Sequence, residues 1–149
     1  FLVTGMAENA LHVWRLDNDV DLWMAGFPSK PKSLAWLAEG EALAVSGADG
    51  FPVWPFNGAD GPHGKKALVL GRRTARVTCV AAHPAGDVIA AGYNDGAVVL
   101  ARVHDDATLL VRAPQGDPVT ALSFDRDGTC LGYGTEAGAL GLCGLKPGP

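Results

Sequence analysis

The stretch VIAAGYNDGAVVLARV (88–103) decides the fold. It holds a run of small apolar residues through Gly92, a polar Asn-Asp-Gly turn, and a second apolar run. Asn-Asp-Gly supplies the positive-φ positions that a tight hairpin needs, so 88–103 reads as two antiparallel strands. Three other stretches repeat it: FLVTGMAENALHVWRL (1–16), LAVSGADGFPVWPF (43–56) and CLGYGTEAGALGLCGL (130–145). The marker glycines are Gly5, Gly47, Gly92 and Gly134, spaced by 42, 45 and 42 residues. A period of this size signals a tandem array of units, each too small to bury its apolar face alone.

A second series lies just ahead of three of these units: KSLAWLAEGEA (32–42), VTCVAAHPAGDV (77–88) and VTALSFDRDGTC (119–130). Each is a short apolar strand followed by a turn that reaches Gly40, Gly86 or Gly128. Apolar pieces at 21–26, 67–70 and 108–112 add one outer strand each. The units then hold three, four, four and three strands, 14 in all. Antiparallel sheets of this size, stacked radially, cover one another's faces and leave only short edges. Small residues at Ala44, Ala90, Ala91 and Gly132 suit strands crowded near such a centre. A β-sandwich of hairpins would also place turns about every 8–12 residues. It leaves the 42-residue repeat unexplained.

These motifs resemble the WD40 repeat, whose order is a strand, a turn like SPDG, a strand ending in Ser-Gly, an Asp-Gly turn and a strand closing on Trp-Asp. HPAG (83–86) and DRDG (125–128) match the first turn, SGADG (46–50) and GYNDG (92–96) the second, and HVWRL (12–16) the closing strand. The resemblance covers essentially the whole chain and marks a divergent, bacterial-type member. Trp14 keeps the closing tryptophan and Trp54 approximates it, whereas Ala101 and Cys143 stand there in the later units. No Gly-His dipeptide precedes an inner strand, so the Asp–His–Ser–Trp network that ties many family blades together cannot be assembled.

The resemblance implies an all-β fold: one domain, residues 1–149, of WD40-like β-propeller blades of four antiparallel strands. Blades are expected near 1–26, 31–70, 75–112 and 117–145, the first lacking its innermost strand and the last its outermost. Family rings usually hold more blades than this. Two outcomes are therefore expected: further N-terminal blades in a longer polypeptide, or self-association with another copy that completes the ring. The tail KPGP (146–149) reads as an ending without a further strand.

Composition narrows the function. A formal charge of −4 gives little to release counterions from phosphates, and no aromatic-basic alternation offers a stacking platform, so no nucleic acid is expected. No apolar run reaches the roughly 20 residues that span a bilayer, so no membrane partner is expected. Cys79, Cys130 and Cys143 form no CxxC pair and read as reduced thiols, with the cytoplasm as default compartment. Ser29, Ser33, Ser46 and Ser123 include no GxSxG elbow. His12, His63, His83 and His104 offer no HxxxH ligand spacing. No catalytic residue, metal site or cofactor is expected.

Binding residues are expected on the rim. The turns at 7–9, 48–50, 94–96 and 136–138 and the links at 29–32, 72–76 and 115–118 belong to one end of the strands. They carry Glu8, Asp49, Asp95 and Glu136 beside Lys30, Lys32, Arg72, Arg73 and Arg76. Mixed charge suits a protein or peptide partner, since arginine is favoured at interface hot spots. Tight hairpin turns call for Asp-Gly regardless of binding. The connection WPFNGADGPHGKK (54–66) is expected at the opposite rim, with Trp54, Phe56, His63 and Lys65 as an interaction element, or with its two aromatics packed between blades.

The first functional reading is a non-enzymatic scaffold that binds a protein or peptide through its rim loops. One rival is an enzymatic, metal-binding or small-molecule-binding propeller with a site at the central channel. It calls for His, Asp or Glu on inner strands, and SLAW, VTCVAA and VTALSF carry almost none. The other rival is a structural subunit that completes a ring.

Overall fold

The computed structural model describes residues 1–146. Strands β1 (Leu2–Met6), β2 (Ala10–Trp14) and β3 (Asp21–Met24) form the first sheet. The second contains β4 (Leu34–Leu37), β5 (Ala42–Val45), β6 (Phe51–Pro55) and β7 (Leu68–Leu70). The third contains β8 (Val77–Ala82), β9 (Val88–Tyr93), β10 (Val98–Arg102) and β11 (Thr108–Arg112). In the fourth lie β12 (Val119–Phe124), β13 (Cys130–Thr135) and β14 (Leu140–Gly144). Each sheet is an antiparallel meander of sequence neighbours, in the three, four, four, three order that the sequence predicts. The one helical element among the described residues is a 3-10 turn at Ala38–Gly40, which the sequence does not announce. Residues 147–149 of the KPGP tail lie outside the described residues.

Strand alternation gives every sheet a forward face, turned to the next sheet, and a back face, turned to the previous one. The first sheet sends Leu11, Val13, Val3 and Met24 forward against Leu43, Val45, Trp54 and Phe56 of the second. Leu37, Ala44, Phe51, Val53 and Leu70 of the second sheet pack on Val80, Ile89, Ala91, Tyr93 and Val99 of the third. Cys79, Ala90, Val98 and Leu100 of the third sheet meet Leu131, Leu122 and Tyr133 of the fourth. The core is thus three interlayers, each closed by two neighbouring sheets. That is how units too small to fold alone become stable together.

Register corrects one detail of the repeat. Gly92 pairs with Cys79 and Val98, and Gly134 pairs with Ala121 and Leu140, so these two glycines share a rung. In the second sheet that rung falls on Ser46, whose amide donates to Ser33 O, because Asp49 accepts from the link at Arg73 N as Asp95 does from Gln115 N, while Gly47 follows it in the turn with φ 106°. Ser-Gly-Ala-Asp-Gly aligns with Gly-Tyr-Asn-Asp-Gly, so a serine stands on the rung and the glycine follows one residue later. Matching glycine to glycine therefore slides the second unit out of true register.

Hydroxyls lace the inner strands together. Ser33, just before β4, donates to Val80 O and accepts from Val80 N across the second interlayer. Thr78 sits at a β-bulge, where it donates to Gly92 O of its own sheet and to Val119 O of the next. Thr120 holds the matching bulge of the fourth sheet and reaches Gly134 O at 3.4 Å. At the outer faces of the stack, Leu140 and Leu142 stand 85% and 83% exposed, and Leu2 and Trp23 about half exposed.

The cysteines divide by environment. Burial pushes the Cys79 thiol up to about 11, whereas Cys130 and Cys143 are partly exposed and all three are free. A thiol reagent such as DTNB is expected to modify at most the latter two in the native chain, because the thiolate is the nucleophile. The third equivalent should titrate only after denaturation. Rapid reaction of Cys79 under native conditions would contradict the closed third interlayer.

Candidate binding rim and channel mouth

The hairpin turns of the first three sheets are each bonded to the link that leaves their sheet, and that of the fourth to the link that enters it. Phe27 N donates to Asn9 O, Arg73 N to Asp49 O and Gln115 N to Asp95 O, at 3.3, 2.8 and 3.0 Å. In the fourth sheet Asp117 Oδ1 accepts from Ala137 N at 2.9 Å. The Thr135 side chain and the Ala137 amide hold the Asp117 carboxyl below the usual carboxylate range. The rim is therefore a hydrogen-bonded band rather than a set of loose loops.

The expected rim cations fall into two groups. Arg72 pairs with Asp49 at 3.1 Å, both well exposed, and Arg73 pairs with Asp95 at 3.4 Å. Arg73 also lies 5.2 Å over the ring of Tyr93, whose buried hydroxyl donates to Gly71 O. Burial raises that hydroxyl's pKa, so it stays a donor. Asp95 further accepts from Ala97 N at 3.0 Å, the bond that shapes the Asn-Asp-Gly turn. These four charges hold rim segments to one another.

Lys30, Lys32 and Arg76 form the second group. Among the described residues they enter no ion pair. All three are exposed, and they line one cavity of about 700 Å³ at the rim end of the inner strands. Three sheets contribute to it: the floor includes Thr78 and Val80 from β8 and Thr120 and Leu122 from β12, while Ser33 and Ser46 form a side wall. Ser46 Oγ accepts from the amides of Lys32 and Ser33 at 3.2 and 3.0 Å, which fixes the lysine-bearing link against the second sheet. Glu136 is the one carboxylate in the lining among the described residues. Glu8 is exposed in the first turn and takes no part in this cavity.

At the opposite end, the 54–66 connection folds back onto the first interlayer. Phe56 is 3% exposed, and Trp54 belongs to β6 and packs into the same cluster. Phe56 meets the rings of Phe1 and Trp36 edge-on, with centroids 5.3 and 4.8 Å apart. Lys65 Nζ donates to the backbone and side-chain oxygens of Asn57, closing the loop on itself. His63 borders a small hollow of about 200 Å³ with Phe1, Arg15 and Asp60. Phe56 therefore packs inside, and Trp54 is half-buried against the same cluster.

Sequence pattern misses Arg112. This buried arginine donates to Gly96 O and Gln115 Oε1 and lies 5.5 Å over the Tyr133 ring. It repeats, one interlayer on, the stacking of Arg73 over Tyr93. The signal was an arginine closing an outer strand one unit ahead of a tyrosine in a second strand, a pairing visible only once the register is known.

The chemistry of the mouth is ionic and hydrogen-bonding. Among the described residues no group of three His, Cys, Asp or Glu could hold a metal ion. Among the described residues no helix is long and apolar enough to cross a membrane. Comparison with known proteins bears on the fold. Residues 64–100 match the family model described as WD domain, G-beta repeat, which runs across β7, β8, β9 and most of β10. The chain superposes on the crystal structure of the computationally designed Ika4 protein with a TM-score of 0.76 at 18% identity. The superposition covers 97% of this chain and 84% of that one, and at this identity it establishes the fold. No curated protein matches the chain significantly.

Proposed function

We propose that this chain, a WD40-repeat β-propeller, is a non-enzymatic scaffold that binds a protein or peptide partner at the mouth of its channel. The observation that carries this reading is the convergence of Lys30, Lys32 and Arg76 from two separate links on one cavity walled by three sheets. WD40 propellers in general serve as platforms for protein partners, which supports the same reading. The supporting framework is stiff: the links are bonded to the turns and the inner strands are laced by Ser33 and Thr78. A platform already ordered loses little entropy when a partner arrives. Arg72, Arg73, Asp49 and Asp95 then act as rim struts, with edges available for peripheral contact.

The separation of roles yields a clean test. Charge reversal at Lys30, Lys32 and Arg76 should abolish capture of partners from a cell extract by the immobilised chain. It should shift the thermal midpoint by only about 1–2 °C, since exposed side chains without ion pairs contribute little to stability. Arg73→Glu should behave differently. It sets a second carboxylate beside Asp95 and removes the cation over Tyr93, costing about 1–3 kcal/mol. Undiminished capture by the triple variant would overturn the mouth as the binding site.

The ring-completing reading keeps one observation in its favour. Leu140 and Leu142 lie over glycine rungs on an uncovered face, and Trp23 stands on the uncovered face at the other end. Covering these faces, by another copy or by further blades, accompanies the scaffold role and does not compete with it.

A further inference from the structure

We infer that the partner segment received by the mouth is acidic, an extended stretch of protein whose carboxylates meet Lys30, Lys32 and Arg76. This rests on the mouth as binding site and adds the chemistry of what it takes. The whole chain carries a formal charge of −4, yet the cavity lining holds three cations against one carboxylate. The sign of the mouth is opposite to that of the chain as a whole. Local potential of that kind concentrates and steers oppositely charged ligands.

The partition of rim charge sharpens the inference. Asp49 and Asp95, the carboxylates that could neutralise the mouth, are paired with Arg72 and Arg73, which do not line it. Lys30, Lys32 and Arg76 are thereby left to an external counter-charge. Their donors are of two kinds: Arg76 offers a planar fork suited to two-point contact with a carboxylate, and the lysines offer point charges. The Ser33 and Thr78 hydroxyls donate to backbone carbonyls, so the free donors of the mouth are mainly cationic.

The lining also selects against other anions. Among the described residues it contains no aromatic side chain on which a base could stack, which disfavours a single-stranded nucleic acid. Its floor, where Ala121 and Leu122 present apolar surface, accepts the apolar part of a peptide instead. A volume of about 700 Å³ lies within the range of sites that enclose small ligands or a few residues of chain.

Fluorescence anisotropy with a short fluorescein-labelled peptide of alternating glutamate and glycine tests this directly, with a lysine–glycine peptide of equal length as comparison. The acidic probe should bind, weaken steeply between about 50 mM and about 300 mM salt, and bind K30Q/K32Q/R76Q about tenfold or more weakly. Glu136→Gln should tighten binding, an opposite sign that general loss of folding cannot imitate. Lys66→Gln with Arg126→Gln, on the opposite end of the strands, should leave it unchanged. If the lysine probe binds as well as the glutamate probe while extract capture still depends on the mouth, the acidic inference falls and the mouth stands. If the three mouth substitutions change neither probe binding nor capture, both fall.

Discussion

Phe51→Ala is expected to destabilise the folded chain by about 3–5 kcal/mol, a large share of the roughly 5–15 kcal/mol that holds a typical domain together. Phe51 is 0% exposed and sits at the start of β6, on the face turned to the third sheet. Gly71 lies against its ring, so closely that a β-carbon there would collide with Phe51 Cε1. Gly71 in turn accepts from the Tyr93 hydroxyl through its carbonyl and donates its backbone N–H to Asp106 Oδ1 at 2.9 Å. Truncating the ring opens a cavity beneath a glycine held from two sides, which cannot collapse to fill it. Urea unfolding followed by tryptophan fluorescence measures the loss. A cost below about 1 kcal/mol would mean that the second and third sheets do not share a packed interlayer.

The second large effect is a contrast on one rung. Gly92→Ala should cost about 1–3 kcal/mol, the usual penalty for overpacking a filled core. A methyl group there would lie 2.6 Å from Val119 Cγ1 and 2.8 Å from Cys79 Sγ, both in the third interlayer. Gly134→Ala, at the same rung one sheet later, should cost almost nothing or stabilise slightly. Its nearest neighbours would be Ala121 Cβ and Leu140 Cδ2, both at an ordinary 3.7 Å, and alanine restricts the unfolded chain more than glycine. The pair is read in parallel thermal melts. Equal penalties would show that the forward face of the fourth sheet is covered in solution, and equal tolerance that the third interlayer is not closed.

Much of this architecture is legible in the chain because local and global signals agree. Asn-Asp-Gly at 94–96 and Glu-Ala-Gly at 136–138 end their turns on a glycine in the left-handed region, with Gly96 and Gly138 at φ 90° and 89°. Apolar alternation around them leaves strands no choice of face. The repeat of about 42 residues then forces stacking, since a three- or four-stranded meander exposes two apolar faces. Register at the second sheet was less legible. Gly47 imitates the rung glycine in sequence, and only the bonds from Ser46 N to Ser33 O and from Arg73 N to Asp49 O assign that place to Ser46.

The candidate site was legible as a set of link residues but not in how those residues divide. Sequence spacing marks Lys30, Lys32, Arg72, Arg73 and Arg76 as one rim set, because all five sit on links between sheets. It says nothing of direction, since a link residue can point inward, outward or along the rim with no periodic rule to fix it. Chain order, strand count and turn positions follow from patterns a few residues long and are written in the amino acids themselves. Which arginine is spent on Asp49 or Asp95, that Arg112 lies buried over Tyr133, and that the link cations share one mouth depend on residues 21–46 positions apart. Those proximities exist only after the sheets have stacked, because packing between layers, not local preference, sets the distances at which charges meet.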